Sequence, residues 1–337
     1  MDPKDRVIRG PVESVTSGPG MKIYPAVMPD GRLAFSEMTV AMNAWSISAR
    51  ADEGMVSNEP QKLVRDVMQN FRPAVARDGS RAAFSGFGGT QTGRFELRIM
   101  DLRTGEEEKI PLQGQAIFEP ARLSPDGSLL AYRNSVEGKM RTFLTAPGGA
   151  LPRTFCETCF VAGIFPGNEF ALVRDKPNEL RKVNIRTGES SVVLASASDI
   201  VSDAAVSPEG KWVAWLAALP DGRAAVRVSP VETPPAGAEK MITVVEADYF
   251  LGNPDWSPNG RRLYYLSEKN GRASIFVRQL DPLTKEPVGA EREVFASTGN
   301  RLNLNFPKGN GMIGVAADRI VFEATAMTGN IYLARPK

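Results

Sequence analysis

The chain has 337 residues, of which 42% are hydrophobic and 24% charged, values typical of a globular protein with a sizeable core. Its 41 lysines and arginines are interspersed with 39 aspartates and glutamates, so no field of one sign favours nucleic acid or an anionic membrane. Histidine is absent, so the chain alone cannot build a Ser-His-Asp or Cys-His catalytic system or a histidine-containing zinc site.

A four-residue turn motif recurs along the chain and divides it into seven units. Its copies are MPDG (28–31), ARDG (76–79), SPDG (124–127), FPGN (165–168), SPEG (207–210), SPNG (257–260) and AADR (316–319). Proline presets the backbone of a turn, aspartate or asparagine hydrogen-bonds to nearby backbone, and glycine adopts positive φ without steric cost. The motif therefore predicts a hairpin turn. A phosphate-binding loop is disfavoured because no strand-to-helix context accompanies the glycine.

Short apolar runs flank each turn. The run after the turn contains one large residue in each unit, and these residues are 41 to 57 positions apart: Phe35, Phe84, Tyr132, Val173, Trp215, Tyr265 and Phe322. A segment before the turn, such as YPAV, predicts one strand, and a third strand, such as NAWSI, follows about ten residues on. A weaker and more polar fourth strand, such as EKIPL, completes a unit of about 40 to 50 residues, which is the pattern of a propeller blade.

We therefore predict an all-β fold, a single seven-bladed β-propeller domain made of four-stranded antiparallel blades. The blades are expected near residues 21–66, 67–112, 113–156, 157–196, 197–246, 247–296 and 297–337. The seventh unit reaches Lys337 just after its third strand. Residues 6–20 are predicted to supply the fourth strand and to close the ring, because a propeller must protect its sheet edges.

The repeat resembles the WD-like repeat of bacterial TolB-like propellers, in which a Ser-Pro-[Asp/Glu/Asn]-Gly turn precedes a short apolar strand. The likeness covers almost the whole chain, strongly in five units and loosely in the fourth and seventh. VAADRIVFEATAMTGNIYLA and CETC also resemble the sensor propeller that follows the kinase domain of some bacterial membrane Ser/Thr kinases. The resemblance implies a rigid scaffold that binds a peptide or protein, as a domain of a larger protein.

The compartment depends on whether the chain is complete. MDPKDRVIRG lacks the apolar segment of a signal peptide, and no apolar run reaches the roughly 18 residues of a spanning helix. We expect no direct membrane insertion, and a cytoplasmic protein if the chain is complete as given. The resemblance favours an extracytoplasmic domain of a membrane protein instead.

The only two cysteines, Cys156 and Cys159, form a CxxC pair. A structural zinc needs four ligands, and a thioredoxin-like site needs a helix N-terminus, which the predicted β fold does not provide. A local disulfide or two structural thiols therefore remain as the alternatives, and the disulfide is favoured outside the cytoplasm. No metal and no other cofactor is predicted.

Polar residues recur where the inner strand of each blade would reach one mouth of the channel. Four of them lie seven residues before the turn glycine, namely Tyr24, Arg72, Asp203 and Asn253. Glu119 lies one residue earlier in its unit, and Arg301 and Asn303 lead into the seventh unit. We predict that these residues form a ligand-binding ring, since propellers usually bind ligands at such pockets. A hydrated channel without a specific ligand is the alternative.

We predict that the protein is a non-catalytic, monomeric scaffold for a peptide, protein or small ligand at this mouth, without a nucleic-acid partner. The alternative is a hydrolase that uses the carboxylates of Asp203 and Glu119. Trp45, Trp212, Trp215 and Trp256 occupy strand positions, and we expect them to pack between blades instead of stacking on bases.

Overall fold

A computed structural model of the protein describes residues 21–57, 59–64, 69–87, 95–116, 120–232, 234–235, 237, 240–297, 302–304 and 312–334. These residues form β-strands and turns, and Ala51–Glu53 form a 3-10 helix. The chain divides into two compact units, a larger one of residues 42–325 and a smaller one of residues 1–41 and 326–337. The all-β prediction is confirmed.

The strands are short, apart from the second and the last. Those of the first half are β1 (Met21–Val27), β2 (Leu33–Arg50), β3 (Met55–Val56), β4 (Gln61–Lys62), β5 (Gln69–Val75), β6 (Arg81–Phe87), β7 (Phe95–Asp101), β8 (Glu107–Ile110), β9 (Gln115–Ala116), β10 (Arg122–Leu123), β11 (Leu130–Val136), β12 (Lys139–Thr145) and β13 (Arg153–Glu157). Those of the second half are β14 (Phe160–Ile164), β15 (Phe170–Lys176), β16 (Glu179–Asn184), β17 (Ser190–Ala195), β18 (Ile200–Val206), β19 (Trp212–Ala218), β20 (Ala224–Pro230), β21 (Ile242–Ala247), β22 (Leu251–Trp256), β23 (Arg262–Ser267), β24 (Ser274–Leu280), β25 (Pro287–Ala296), β26 (Ile313–Val315) and β27 (Arg319–Ala334).

The larger unit is a closed ring of antiparallel sheets. Five sheets contain four consecutive strands each, namely β5–β8, β10–β13, β14–β17, β18–β21 and β22–β25. In the second of these, β9 also pairs with β11. A sixth sheet contains β26, β27, β2 and β4. Their first strands, β5, β10, β14, β18, β22 and β26, contact one another in that order, and β26 contacts β5. The described part of this unit is therefore a β-propeller in which six sheets surround a channel.

The seven blades predicted from the repeat are not confirmed, because strands of the first and seventh repeats share one sheet. In both repeats the two strands expected after the turn are one continuous strand, 18 residues long in β2 and 16 in β27. Within the larger unit, the Ala49 N–H donates to the Asp318 carbonyl at 2.8 Å, so an N-terminal segment does complete the last sheet. The closing strand predicted at residues 6–20 lies outside the described residues.

The smaller unit is built from the two ends of the described chain. β1 pairs antiparallel with the start of β2, and β2 lies between β1 and the end of β27. The rings of Phe35 and Tyr332 stack with their centroids 5.7 Å apart. The MPDG turn joins β1 to β2, so the first copy of the repeated turn belongs to this unit.

The repeated turns have the predicted hairpin geometry and also connect neighbouring sheets. The N–H groups of Gly79, Gly127, Gly210 and Gly260 each donate at 2.9 Å to the carbonyl three residues earlier. Gly127 has a φ of 68°, which a residue with a Cβ rarely adopts. Asn168, in the turn of the next sheet, donates to both carboxylate oxygens of Asp126 at 3.0 and 2.9 Å. The structural interpretation of the turn is therefore confirmed.

Apolar side chains fill the spaces between neighbouring sheets. Trp215 lies in the cluster between the β14–β17 and β18–β21 sheets, and Trp256 in the next cluster, and neither side chain is exposed. Each full burial of a large apolar side chain contributes roughly 1.5–3 kcal/mol. The predicted packing role of these two tryptophans is confirmed, and Trp45 and Trp212 are partly buried and pack against the apolar clusters.

Candidate functional site

The inner strands contain β-bulges where the sequence predicted the polar ring. The register with the second strand shifts between Phe71 and Ala74 in β5, and between Gly252 and Asp255 in β22. β14 and β18 have equivalent shifts. A bulge leaves a residue out of the ladder and re-aims side chains, and bulges are frequent next to binding sites.

Three side chains from different sheets meet at the channel, and we call Arg122, Asp203 and Asn253 the mouth cluster. Arg122 Nη2 donates to Asp203 Oδ1 at 2.7 Å, and Asn253 Nδ2 donates to Asp203 Oδ2 at 2.7 Å. Asn253 Oδ1 accepts the N–H of Ile313, from β26. The Asp203 carboxylate thus joins inner strands β10, β18 and β22, and the Asn253 amide extends the connection to β26.

Arg122 keeps unused donors in this arrangement. Its Nε donates to the Ala162 carbonyl at 3.0 Å, and its guanidinium lies over the Phe160 ring at 5.5 Å. A guanidinium has five N–H groups, and in the described part of the chain three of those of Arg122 have no acceptor. The Arg122 and Asp203 side chains remain 13% and 15% exposed. A ligand carbonyl or carboxylate can therefore reach an oriented guanidinium.

Arg72 is held through its backbone. Its φ is 56°, its side chain is largely buried, and its N–H donates to Glu323 Oε2 at 2.9 Å. Burial raises the pKa of Glu323, although the Arg72 N–H bond and the Arg72 charge oppose the rise. This contact joins β5 to the last sheet, so the structure gives Arg72 a role in ring closure.

The channel holds a cavity of about 100 Å³ and a second pair of charges. Asp255 accepts hydrogen bonds from the N–H groups of Val315 and Trp256, both at 2.8 Å. Burial raises the pKa of Asp255, and the positive charge of Arg77 opposes the rise. Arg77 Nη2 donates across the channel to the Val206 carbonyl at 3.1 Å. Within the described residues, the buried Nη1 of Arg77 has no hydrogen-bond partner.

The structure brings together only part of the predicted ring. Asp203 and Asn253 meet in the mouth cluster. Tyr24 lies in the smaller unit and is 81% exposed. Asn303 forms a two-way backbone bridge with Thr325, with both N–H···O distances 2.9 Å. Glu119 and Arg301 lie outside the described residues.

Sequence reasoning missed Arg122, Arg77 and Asp255. Most of the predicted ring residues lie seven residues before the turn glycine, whereas these three residues lie closer to the turn, within or just after the inner strand. A charged residue inside a short apolar segment, as in PARL (120–123) and PDWS (254–257), is a signal that could have identified two of them.

Cys156 and Cys159 form a disulfide between the adjacent ends of β13 and β14, with their Cα atoms 5.9 Å apart. The structure thus contains the disulfide, one of the two alternatives left by the sequence.

Across the described residues, no group of three or more cysteine, aspartate or glutamate side chains could hold a metal ion. No helix in that part of the chain is long and apolar enough to cross a membrane.

Solved structures with the same architecture are β-propellers. A putative TolB from Agrobacterium tumefaciens superposes with a TM-score of 0.62 at 14% identity, covering 85% of this chain and 99% of that one. TolB from Acinetobacter baumannii gives 0.56 at 13% identity and covers 87% of this chain, which spans 66% of that structure. An oligogalacturonate lyase in complex with manganese gives 0.51 at 10% identity, covering 91% and 98%.

No protein-family model and no curated protein sequence matches the chain. At these identities the structural likeness establishes the fold, so the protein has a TolB-like β-propeller fold. The narrower resemblance to kinase-linked sensor propellers is not confirmed.

Proposed function

We propose that the propeller is a non-catalytic scaffold that binds a peptide or protein segment at the mouth cluster. The observation that carries this proposal is the guanidinium of Arg122, which Asp203 and the Ala162 carbonyl hold in one orientation while three N–H groups remain unused by described residues. Donors held by rigid strands lose little conformational entropy on binding. A carbonyl or a terminal carboxylate is the complementary group.

A peptide suits this site better than a nucleic acid. Peptides supply carbonyl acceptors and N–H donors together, and the cluster offers the Arg122 donors beside the Asp203 carboxylate. A phosphate backbone would meet that carboxylate at short range, which opposes its binding. The fold supports the proposal, since a structure of a nidogen/laminin complex superposes with a TM-score of 0.53 over 73% of this chain. We propose that the scaffold is a sensor domain of a larger protein.

The test is selection of a displayed random peptide library on the whole chain, followed by calorimetry with the selected peptides. We expect saturable binding that Arg122→Ala weakens at least tenfold and Arg122→Lys weakens less. Arg186→Ala is the matched control, because Arg186 is exposed and its side chain has no partner among the described residues. Equal weakening by the control, or selected peptides that are insensitive to Arg122, would remove the site from the mouth cluster.

A hydrolase is the second candidate. One observation favours it: two carboxylates from neighbouring inner strands lie at the channel in different environments, Asp203 ion-paired and Asp255 with a pKa raised by burial. Two carboxylates in unlike environments are a usual arrangement of a catalytic acid and base. Turnover of oligosaccharide substrates that Asp255→Asn abolishes would support this candidate and overturn the non-catalytic one.

A further inference from the structure

A groove lies on the turn side of the propeller, separate from the mouth cluster. It lies at the turns that follow β18 and β22, has a volume of about 850 Å³ and shares no residue with the channel cavity. Its volume is in the range of ligand sites, about 300–1,000 Å³. We name it the turn-side groove and define it by Lys211, Trp212, Glu232, Arg261, Leu283 and Lys285.

Two of the cations in the groove have no side-chain partner in the part of the chain that the structure describes. Across the described residues, the side chains of Lys211 and Arg261 make no hydrogen bond and no ion pair, and both residues are exposed. Their backbones are fixed, because the Val231 N–H donates to the Lys211 carbonyl at 2.8 Å and the Leu280 N–H donates to the Arg261 carbonyl at 2.9 Å. Two positive charges therefore project from ordered strand ends.

The other charges in the groove are already neutralised. Lys285 is 3% exposed, donates to the Gly260 carbonyl at 2.8 Å and pairs with Glu209 at 3.0 Å. Glu232 pairs with Lys240 at 2.8 Å. The charge left to attract a ligand is thus the positive charge of Lys211 and Arg261.

The groove walls are apolar and stiff. Four prolines from separate turns and strand ends line it: Pro208, Pro230, Pro258 and Pro282. Trp212 is partly buried there, and Leu283 is 82% exposed at the edge. Proline rings and an indole form a surface for extended chains with apolar side chains, and such recognition uses preformed grooves.

We propose that the turn-side groove binds an extended acidic peptide segment of a partner protein, with its carboxylates on Lys211 and Arg261 and its apolar side chains between Trp212 and Leu283. A polyphosphate chain is disfavoured, because it has no apolar groups to place against the prolines, Trp212 and Leu283 that line the groove. A peptide places its charges several ångströms apart and alternates them with apolar groups.

The experiment is calorimetry of the whole chain with an octapeptide of alternating glutamate and proline, acetylated and amidated so that it has no charged terminus. Octapeptides with glutamine or lysine in place of glutamate, and an octathymidylate, are the comparison ligands. We expect saturable binding of the glutamate peptide alone, weakened by added salt as expected for surface ion pairs.

The double variant Lys211→Glu/Arg261→Glu should weaken the glutamate peptide at least tenfold, and Leu283→Ser several-fold. Lys139→Glu/Arg186→Glu is the matched control, since it makes the same charge change at two exposed residues without side-chain partners among those described; it should leave the affinity within about twofold. Absence of saturable binding up to about 1 mM, equal loss in both double variants, or tighter binding of the oligonucleotide would overturn the proposal.

Discussion

The backbone N–H of Arg72 donates a 2.9 Å hydrogen bond to the carboxylate of Glu323, which joins the β5 inner strand to the last sheet of the ring. Glu323 is only 2% exposed, so its loss would leave a buried N–H without an acceptor. We predict that Glu323→Ala lowers the free energy of unfolding by roughly 1–3 kcal/mol, the cost of an unsatisfied buried donor. Glu323→Gln keeps an oxygen acceptor and should cost less. Urea denaturation measures both, and equal losses would contradict this assignment.

The same carboxyl group predicts a pH dependence. Burial raises the folded-state pKa of Glu323 above its ordinary value of 4.5, so the native state binds the proton more tightly than the unfolded state. The stability that the raised pKa of Glu323 contributes is fully present below its ordinary value of 4.5. This contribution is lost as the pH rises through the folded-state pKa. We expect the stability of the wild type, relative to Glu323→Gln, to fall as the pH rises from 4 towards neutrality. A difference that is constant or grows over that range would contradict the prediction.

Asp203 orients the donors of the mouth cluster. Asp203→Ala removes the acceptor shared by Arg122 and Asn253, whereas Asp203→Asn keeps an oxygen but removes the charge. We predict that Asp203→Ala weakens binding of a peptide selected at the mouth by roughly 1–3 kcal/mol, because Arg122 loses its orientation. Asp203→Asn should have a smaller effect. The measurement is calorimetry, with circular dichroism to verify that the fold is retained.

The fold could be predicted from the sequence because its turns carry local chemistry. Proline, aspartate, asparagine and glycine, in combinations that vary from turn to turn, specify the hairpins, and the apolar runs beside them specify the strands. The number of sheets could not be obtained in the same way. The repeat counts hairpins, whereas the assignment of a strand to a sheet depends on pairing between distant parts of the chain, as in the Ala49 to Asp318 hydrogen bond.

One sequence feature does distinguish the first repeat. Between LAFS and NAWSI the chain reads EMTVAM, without glycine, proline, asparagine or aspartate, whereas the second to sixth repeats have such residues at that place. The strand therefore continues for 18 residues. Asp203 and Asn253 of the mouth cluster were predicted, but Arg122 was not, since bulges in β18 and β22 decide which side chains meet, and a bulge changes the simple alternation of side chains along a strand.

The disulfide predicts a small and local effect. A bond between residues three positions apart closes a very short loop, so in the chain-entropy model it contributes at most about 2 kcal/mol. We predict that Cys156→Ser/Cys159→Ser folds, melts at a slightly lower temperature and binds a mouth-selected peptide with unchanged affinity. Differential scanning calorimetry and peptide titration measure these effects. Loss of binding in the folded variant would give the cysteines a functional role.

The last prediction concerns ring closure by the N-terminal segment. Ile47 lies in β2, is 1% exposed, and belongs to an apolar cluster with Tyr264, Ile275 and Phe322, so it packs the last sheet onto the β22–β25 sheet. We predict that Ile47→Ala lowers the free energy of unfolding by roughly 2–5 kcal/mol through lost burial and a cavity. Ile200→Ala is the matched control, since Ile200 is 51% exposed and should change stability by less than about 0.5 kcal/mol. Equal effects in urea denaturation would show that β2 does not contribute to closing the ring.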